Sequence, residues 1–235
     1  MKKLITMLAV CTLIVPAFST PVFAEEPMDT WEVNVCGDDT MKLENIPELP
    51  NAEPLWEDMT VSSRAASISV NVQSPLEKTW RSKYSDPRYE ARKIVERTDD
   101  FLSKKFGTEF HVASQPDWTV SNTSTVRNIL KDAAMKNWTR KEDLMIAFAG
   151  PLADKEDHVV FGVAFNGKPF SVIFDHAYNQ NCKSTQHEVG HTYGLQHCSN
   201  TCVMKSGSDN NWELFDHLCP SHEQQWNKNK NKYHH

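Results

Sequence analysis

The stretch His187-Glu188-Val189-Gly190-His191-Thr192-Tyr193-Gly194-Leu195-Gln196-His197 constrains this chain more than any other. His187 and His191 are four positions apart, so on a helix both imidazoles project from one face and can grip one metal ion. Glu188 follows the first histidine, placed to reach a water at that ion without itself ligating. Gly194 can take the left-handed backbone that ends a helix and turns the chain back, and His197 can then approach as a third ligand. Three neutral imidazoles suit zinc and leave one coordination position open. Five fixed positions of this kind coincide by chance about once in 10⁷ starting points.

Around this stretch the pattern mixes strand and helix, which makes the fold class α/β. Ile68, Val70 and Val72 alternate like a half-buried strand. Asp86-Pro87 supplies an N-cap and a first-turn proline, Ala91, Ile94, Val95, Thr98, Phe101 and Leu102 follow at helical spacing, and Gly107 closes the helix. Phe110 and Val112 predict another strand. Val126, Ile129, Leu130, Ala133 and Ala134 predict a second helix begun near Asn122 or Thr123. The apolar run Leu144 to Ala149 predicts a central strand covered on both faces. Val159 to Phe165, Asn166-Gly167 and Phe170 to Phe174 read as a hairpin whose first arm lies at a sheet edge.

The N-terminus differs. Leu4 to Phe18 is apolar, follows Lys2 and Lys3, and leads to Val22-Phe23-Ala24, the pattern of a secretory signal peptide spanning residues 1–24. Its removal takes the formal charge from −6 to −8, because it carries two lysines and no acids. Such a balance excludes nucleic acid as a partner. Residues 25–64 hold eleven acidic side chains against Lys42 and Arg64 and are broken by Pro27, Pro47, Pro50 and Pro54. Residues 25–65 therefore read as an acidic, propeptide-like arm outside the core.

The motif HExxHxxGxxH, matched by His187, Glu188, His191, Gly194 and His197, resembles that of the metzincin metallopeptidases, with Met204 as their Met-turn methionine. The resemblance implies a zincin-type α+β catalytic domain over residues 66–235. Its upper lobe would carry a twisted, mixed five-stranded sheet and two long helices, and a small lower lobe would follow Gly194. It further implies that Met204 floors the metal without ligating it, and that substrate binds extended and antiparallel to the edge strand, here Gly162 to Phe165. Ser206 stands where astacins carry an oxyanion-assisting tyrosine.

Cys198, Cys202 and Cys219, with His222, resemble the second zinc site of archaemetzincins, although a histidine stands where they have a fourth cysteine. Cys202-Val203-Met204 is also similar to the reprolysin pattern, where that cysteine is disulfide-bonded. An exported protein favours disulfides, and Cys182 would have a place only in such a scheme. Two disulfides among Cys182, Cys198, Cys202 and Cys219, or a structural zinc held by Cys198, Cys202, Cys219 and His222, are both open. Cys36, in Val35-Cys36-Gly37-Asp38, is left over and resembles the cysteine switch of matrixin propeptides.

The expected activity is secreted, zinc-dependent endopeptidase cleavage of protein or peptide substrates, with Glu188 as general base. The chain would act as a monomer, with no membrane insertion after signal removal. An aminopeptidase-like metallopeptidase and a non-catalytic secreted zinc-binding module are the alternatives.

Overall fold

The computed structural model describes residues 27–42, 68–121, 123–153, 158–205 and 216–233. The expected leader, residues 25–26 and 43–65 of the acidic arm, and Ser206 lie outside them. Trp31–His235 form one compact unit. In the other unit, Met1–Thr30, the described residues hold one short 3-10 turn, Met28–Thr30.

The elements of the larger unit begin with β1 (Val33–Lys42), β2 (Ile68–Gln73), β3 (Leu76–Glu77), α1 (Lys78–Lys83) and α2 (Pro87–Phe106). They continue with β4 (Thr108–Ser114), β5 (Asp117–Trp118), α3 (Val126–Asn137), β6 (Leu144–Ala149) and β7 (Leu152–Ala153). The last are β8 (His158–Phe165), β9 (Phe170–Phe174), α4 (Tyr178–Thr192) and α5 (Pro220–Asn229).

Local sequence explains most boundaries. Asp86 accepts the Tyr89 N–H at 3.0 Å to start α2, and Gly107, at φ 69°, ends it by returning its N–H to Ser103 O. Ala91, Ile94, Val95, Leu102 and Phe106 form the buried stripe of α2. The second predicted helix, α3, starts later than Asn122 or Thr123 because the Thr125 hydroxyl accepts the Asn128 N–H and sets the cap there.

Among the described residues one mixed sheet of nine strands runs along the path β1-β8-β9-β6-β2-β4, with short β3, β5 and β7 alongside, more strands than the five expected. From β9 to β4 the path is parallel; β8 is antiparallel to β9, and β1 to β8. Every residue of β6 is buried, as its unbroken apolar run predicts. Trp80, Phe110, Phe148, Ile94 and Leu102 are among the largest buried side chains. Each contributes about 1.5–3 kcal/mol by leaving water. Among the described residues no helix is long and apolar enough to cross a membrane.

The hairpin β8–β9 turns at Gly167, at φ 65°, as expected. Its first arm, β8, is not the edge, because β1 from the acidic arm pairs along it and takes the edge position. The strand is inconspicuous in sequence because an edge strand draws its support from its partner's ladder and needs little apolar alternation of its own.

Candidate metal centre

The helix α4 is buried along nearly its whole length, Asn179–Asn181 and Ser184–Thr192 included. A polar helix is buried in this way only where its side chains have partners or bind something. His187 and His191 lie side by side one turn apart, with Nε2 atoms 3.0 Å apart. Gly194, at φ 88°, turns the chain back, and Gly194 N–H and Leu195 N–H bond to the carbonyls of His191 and Gly190. The turn is clamped from outside by α5: Gln225 Nε2 donates to Gly194 O at 2.6 Å and Asn229 Nδ2 to Tyr193 O at 2.7 Å. Trp226 stacks on Tyr193 with ring centroids 4.3 Å apart. Beyond the turn, His197 Nε2 comes within 3.2 Å of both other Nε2 atoms.

Backbone carbonyls set the tautomers. His187 Nδ1 lies 2.6 Å from Val203 O and His191 Nδ1 lies 2.7 Å from Leu195 O. A carbonyl oxygen can only accept, so each Nδ1 carries the proton and each Nε2 presents a lone pair to the centre. Burial pushes the His187 pKa down to about 3 and lowers those of His191 and His197, which favours the neutral rings.

Glu188 is fully buried, and neither carboxylate oxygen has a hydrogen-bond partner. Burial drives its pKa well above the usual carboxylate range. Three converging lone pairs and an orphaned buried carboxylate fit a divalent cation. Tetrahedral zinc with arms of about 2.0–2.1 Å to nitrogen has nitrogen–nitrogen edges of ~3.3–3.4 Å. The observed separations of 3.0–3.2 Å lie close to that.

Two glycines make this packing possible. A Cβ on Gly190 would lie 2.3 Å from Met204 Sδ, so the fully buried Met204 packs directly beneath the histidine helix. A Cβ on Gly162 would lie 2.5 Å from Glu188 Oε1, so the carboxylate rests against bare β8 backbone. A glycine inside a helix pattern and one inside a strand pattern were the available signals. Nothing in the sequence marked the carbonyls of Val203 and Leu195.

The remaining predicted residues divide. Cys198, Cys202, Cys219 and His222 converge, their ligand atoms all within 4.8 Å of one another. His222 Nδ1 lies 3.3 Å from Cys202 Sγ and 3.2 Å from Cys219 Sγ, and Cys219 N–H donates to Cys202 Sγ at 3.3 Å. Soft sulfur ligands with one imidazole form a donor set for structural zinc. All five described cysteines are free, so the zinc alternative fits this arrangement and the disulfide expectation finds no bridge. Cys182 stands apart from the four-ligand group, buried in α4, where its carbonyl accepts from the Thr98 hydroxyl at 3.5 Å. Cys36 joins the three histidines as a fourth potential ligand.

The profile described as Peptidase family M54 matches residues 160–223, which carry most of β8, all of β9 and α4, three residues of the histidine group and all four of the cysteine group. No curated relative matches. Among solved structures, the archaemetzincin of Methanopyrus kandleri is similar at 20% identity over 69% of this chain and 96% of that one, with TM-score 0.52. A structure described as a chaperone–substrate complex gives 15% identity, 72% and 35% coverage and TM-score 0.54. The archaemetzincin of Archaeoglobus fulgidus, complexed with malonate, gives 21% identity, 67% and 99% coverage and TM-score 0.45. The M54 match and the ligand groups indicate a zinc metallopeptidase, and zinc is its metal. More particularly, the fold is similar to that of the Methanopyrus archaemetzincin, and the site-bearing segment resembles the M54 peptidases.

Proposed function

We propose that the chain is a metzincin-type zinc endopeptidase, exported by its N-terminal leader, that cleaves protein or peptide substrates as a monomer. The observation that carries the reading is Glu188, a fully buried, unpartnered carboxylate next to three convergent histidines. A module that only bound zinc would have no use for so costly a group.

His187, His191 and His197 would hold the catalytic zinc through Nε2, and Cys198, Cys202, Cys219 and His222 a structural one. Bound there, zinc would supply Lewis acidity toward a scissile carbonyl and the attacking water. The Glu188 carboxylate takes the proton of the attacking water and delivers it to the leaving amine nitrogen. Gly162 gives that carboxylate its place, and the Val203 and Leu195 carbonyls keep the two helical imidazoles aimed. Met204 packs beneath without ligating.

An extended peptide would pair with β8 in the place that β1 occupies. The residues of β1 flank the site on both sides of Cys36, with Val33 paired to Phe165 and Lys42 to His158. Room on both sides supports cleavage within a chain over release of N-terminal residues.

The test is Glu188→Ala, with zinc content and cleavage of an unfolded protein measured together. Zinc content should stay unchanged while turnover falls by about 10²–10⁴-fold. Retention of more than about a tenth of wild-type turnover, within the scatter of that range, removes Glu188 from its role. Products shortened only from the N-terminus would favour the aminopeptidase alternative.

A further inference from the structure

Cys36 comes from the far end of the sequence, yet its Sγ lies 3.5 Å from the Nε2 atoms of both His191 and His197. A thiolate about 2.3 Å from tetrahedral zinc would stand ~3.5 Å from each imidazole nitrogen. Backbone pairing puts it there. Val33, Asn34, Val35 and Cys36 pair with Phe165, Ala164, Val163 and Gly162, so Cys36 lies opposite the glycine against which Glu188 rests. The ladder shifts register between Cys36 and Gly37, and such bulges re-aim side chains beside active sites. Gly37 is required for the fit, because a Cβ there would lie 2.3 Å from Val159 O.

Resting on the peptidase reading above, we propose that β1 is a resident occupant of the site. It adds to β8 where an extended substrate would lie and supplies Cys36 as the fourth zinc ligand, so the full chain is latent while β1 stays docked. Cys36 coordinates as the thiolate, its proton passes to solvent, and no covalent bond breaks. The sulfur fills the coordination position that water needs, and the strand fills the edge that the peptide needs. Strand and thiol must leave together, because the ladder aims the sulfur.

The test uses the full chain loaded with Co²⁺ in place of zinc, as wild type, Cys36→Ser and Gly37→Val. Wild type should show absorption from four cobalt thiolates, those of Cys36, Cys198, Cys202 and Cys219, and both variants from three. In the zinc form Cys36 should resist alkylation until a chelator is added, whereas in Gly37→Val it should react at once. Both variants should cleave an unfolded protein at least about tenfold faster than wild type, the gain expected if the open state is a tenth populated or less. Unchanged cobalt absorption in Cys36→Ser, with Cys36 alkylated equally with and without metal, overturns the proposal. Loss of one thiolate signal with no cleavage by any variant leaves the occupancy standing and instead overturns the peptidase reading.

Discussion

The two ligand groups meet at consecutive residues, His197 and Cys198, but they are built to opposite ends. The cysteine-rich group would take all four ligands from residues close in sequence, Cys198 to His222. The histidine group would take three ligands from α4 and its following turn and the fourth from a strand at the sheet edge. Closed sets of soft ligands hold structure, whereas sets with a replaceable position do chemistry. The closed group also serves the open one, because Cys198 follows His197 and Cys202 precedes Val203 and Met204, which hold and floor the histidines. His222 carries the same link, since burial lowers its pKa against a backbone hydrogen bond with Gln196, the neighbour of His197.

The sharpest test of this contrast is His191→Ala. It should abolish cleavage and take zinc from two ions per chain to one, one for each ligand group. Equal loss of zinc from both groups would erase the distinction. Cys202→Ala attacks the other side. It should lower the melting temperature clearly and weaken zinc binding at the histidines by about 10–100-fold, the usual cost of losing support behind a ligand; metal titration followed by calorimetry reads both. Gly190→Ala touches neither ligand set but drives a methyl into Met204. Overpacking of this kind costs about 1–3 kcal/mol, and cleavage should fall only partly, as thermal melts and turnover measured together would reveal.

Asp99 is the control, a buried carboxylate outside both groups. Burial raises its pKa to about 7, against the N–H of Phe110 that it accepts and with help from Asp100, Glu109 and Glu96. The folded form therefore keeps a proton that the unfolded chain, with a pKa of about 3.9, has lost. Native stability falls as pH rises from about 4 to about 7 and levels off above that. Asp99→Asn keeps an acceptor for Phe110 and removes this slope, so it should stabilise the protein more at pH 8 than at pH 5 with cleavage unchanged. Equal gains at both values would contradict the assignment.

The histidine helix, its glycine turn and the central strand were legible because each is governed by residues close in sequence. His187, His191 and His197 follow from helix geometry and one left-handed residue, and β6 from an apolar run covered on both faces. The choice between disulfides and a second metal group was not legible, since it depends on how residues 198–205 fold back on the start of α5. The Cys198 N–H bond to Met204 O at 3.0 Å closes that loop. Compartment arguments favour disulfides, and the structure places His222 among three thiols. In the acidic arm the cysteine drew notice but its strand did not, because Val33 and Val35 are its only alternating apolar pair and the pairing is supplied by β8.

The place of β1 at the end of the sheet path has a quantitative corollary in concentration. It is joined through the backbone to β2, so any peptide competing for β8 faces a rival that cannot diffuse away. Tethering of this sort corresponds to an effective concentration on the order of millimolar. A free peptide of equal intrinsic affinity, present at micromolar levels, would hold β8 about a thousandth as often. Dilution does not relieve the competition, and neither does a modest excess of substrate, so only severing the tether or unseating the strand changes the odds.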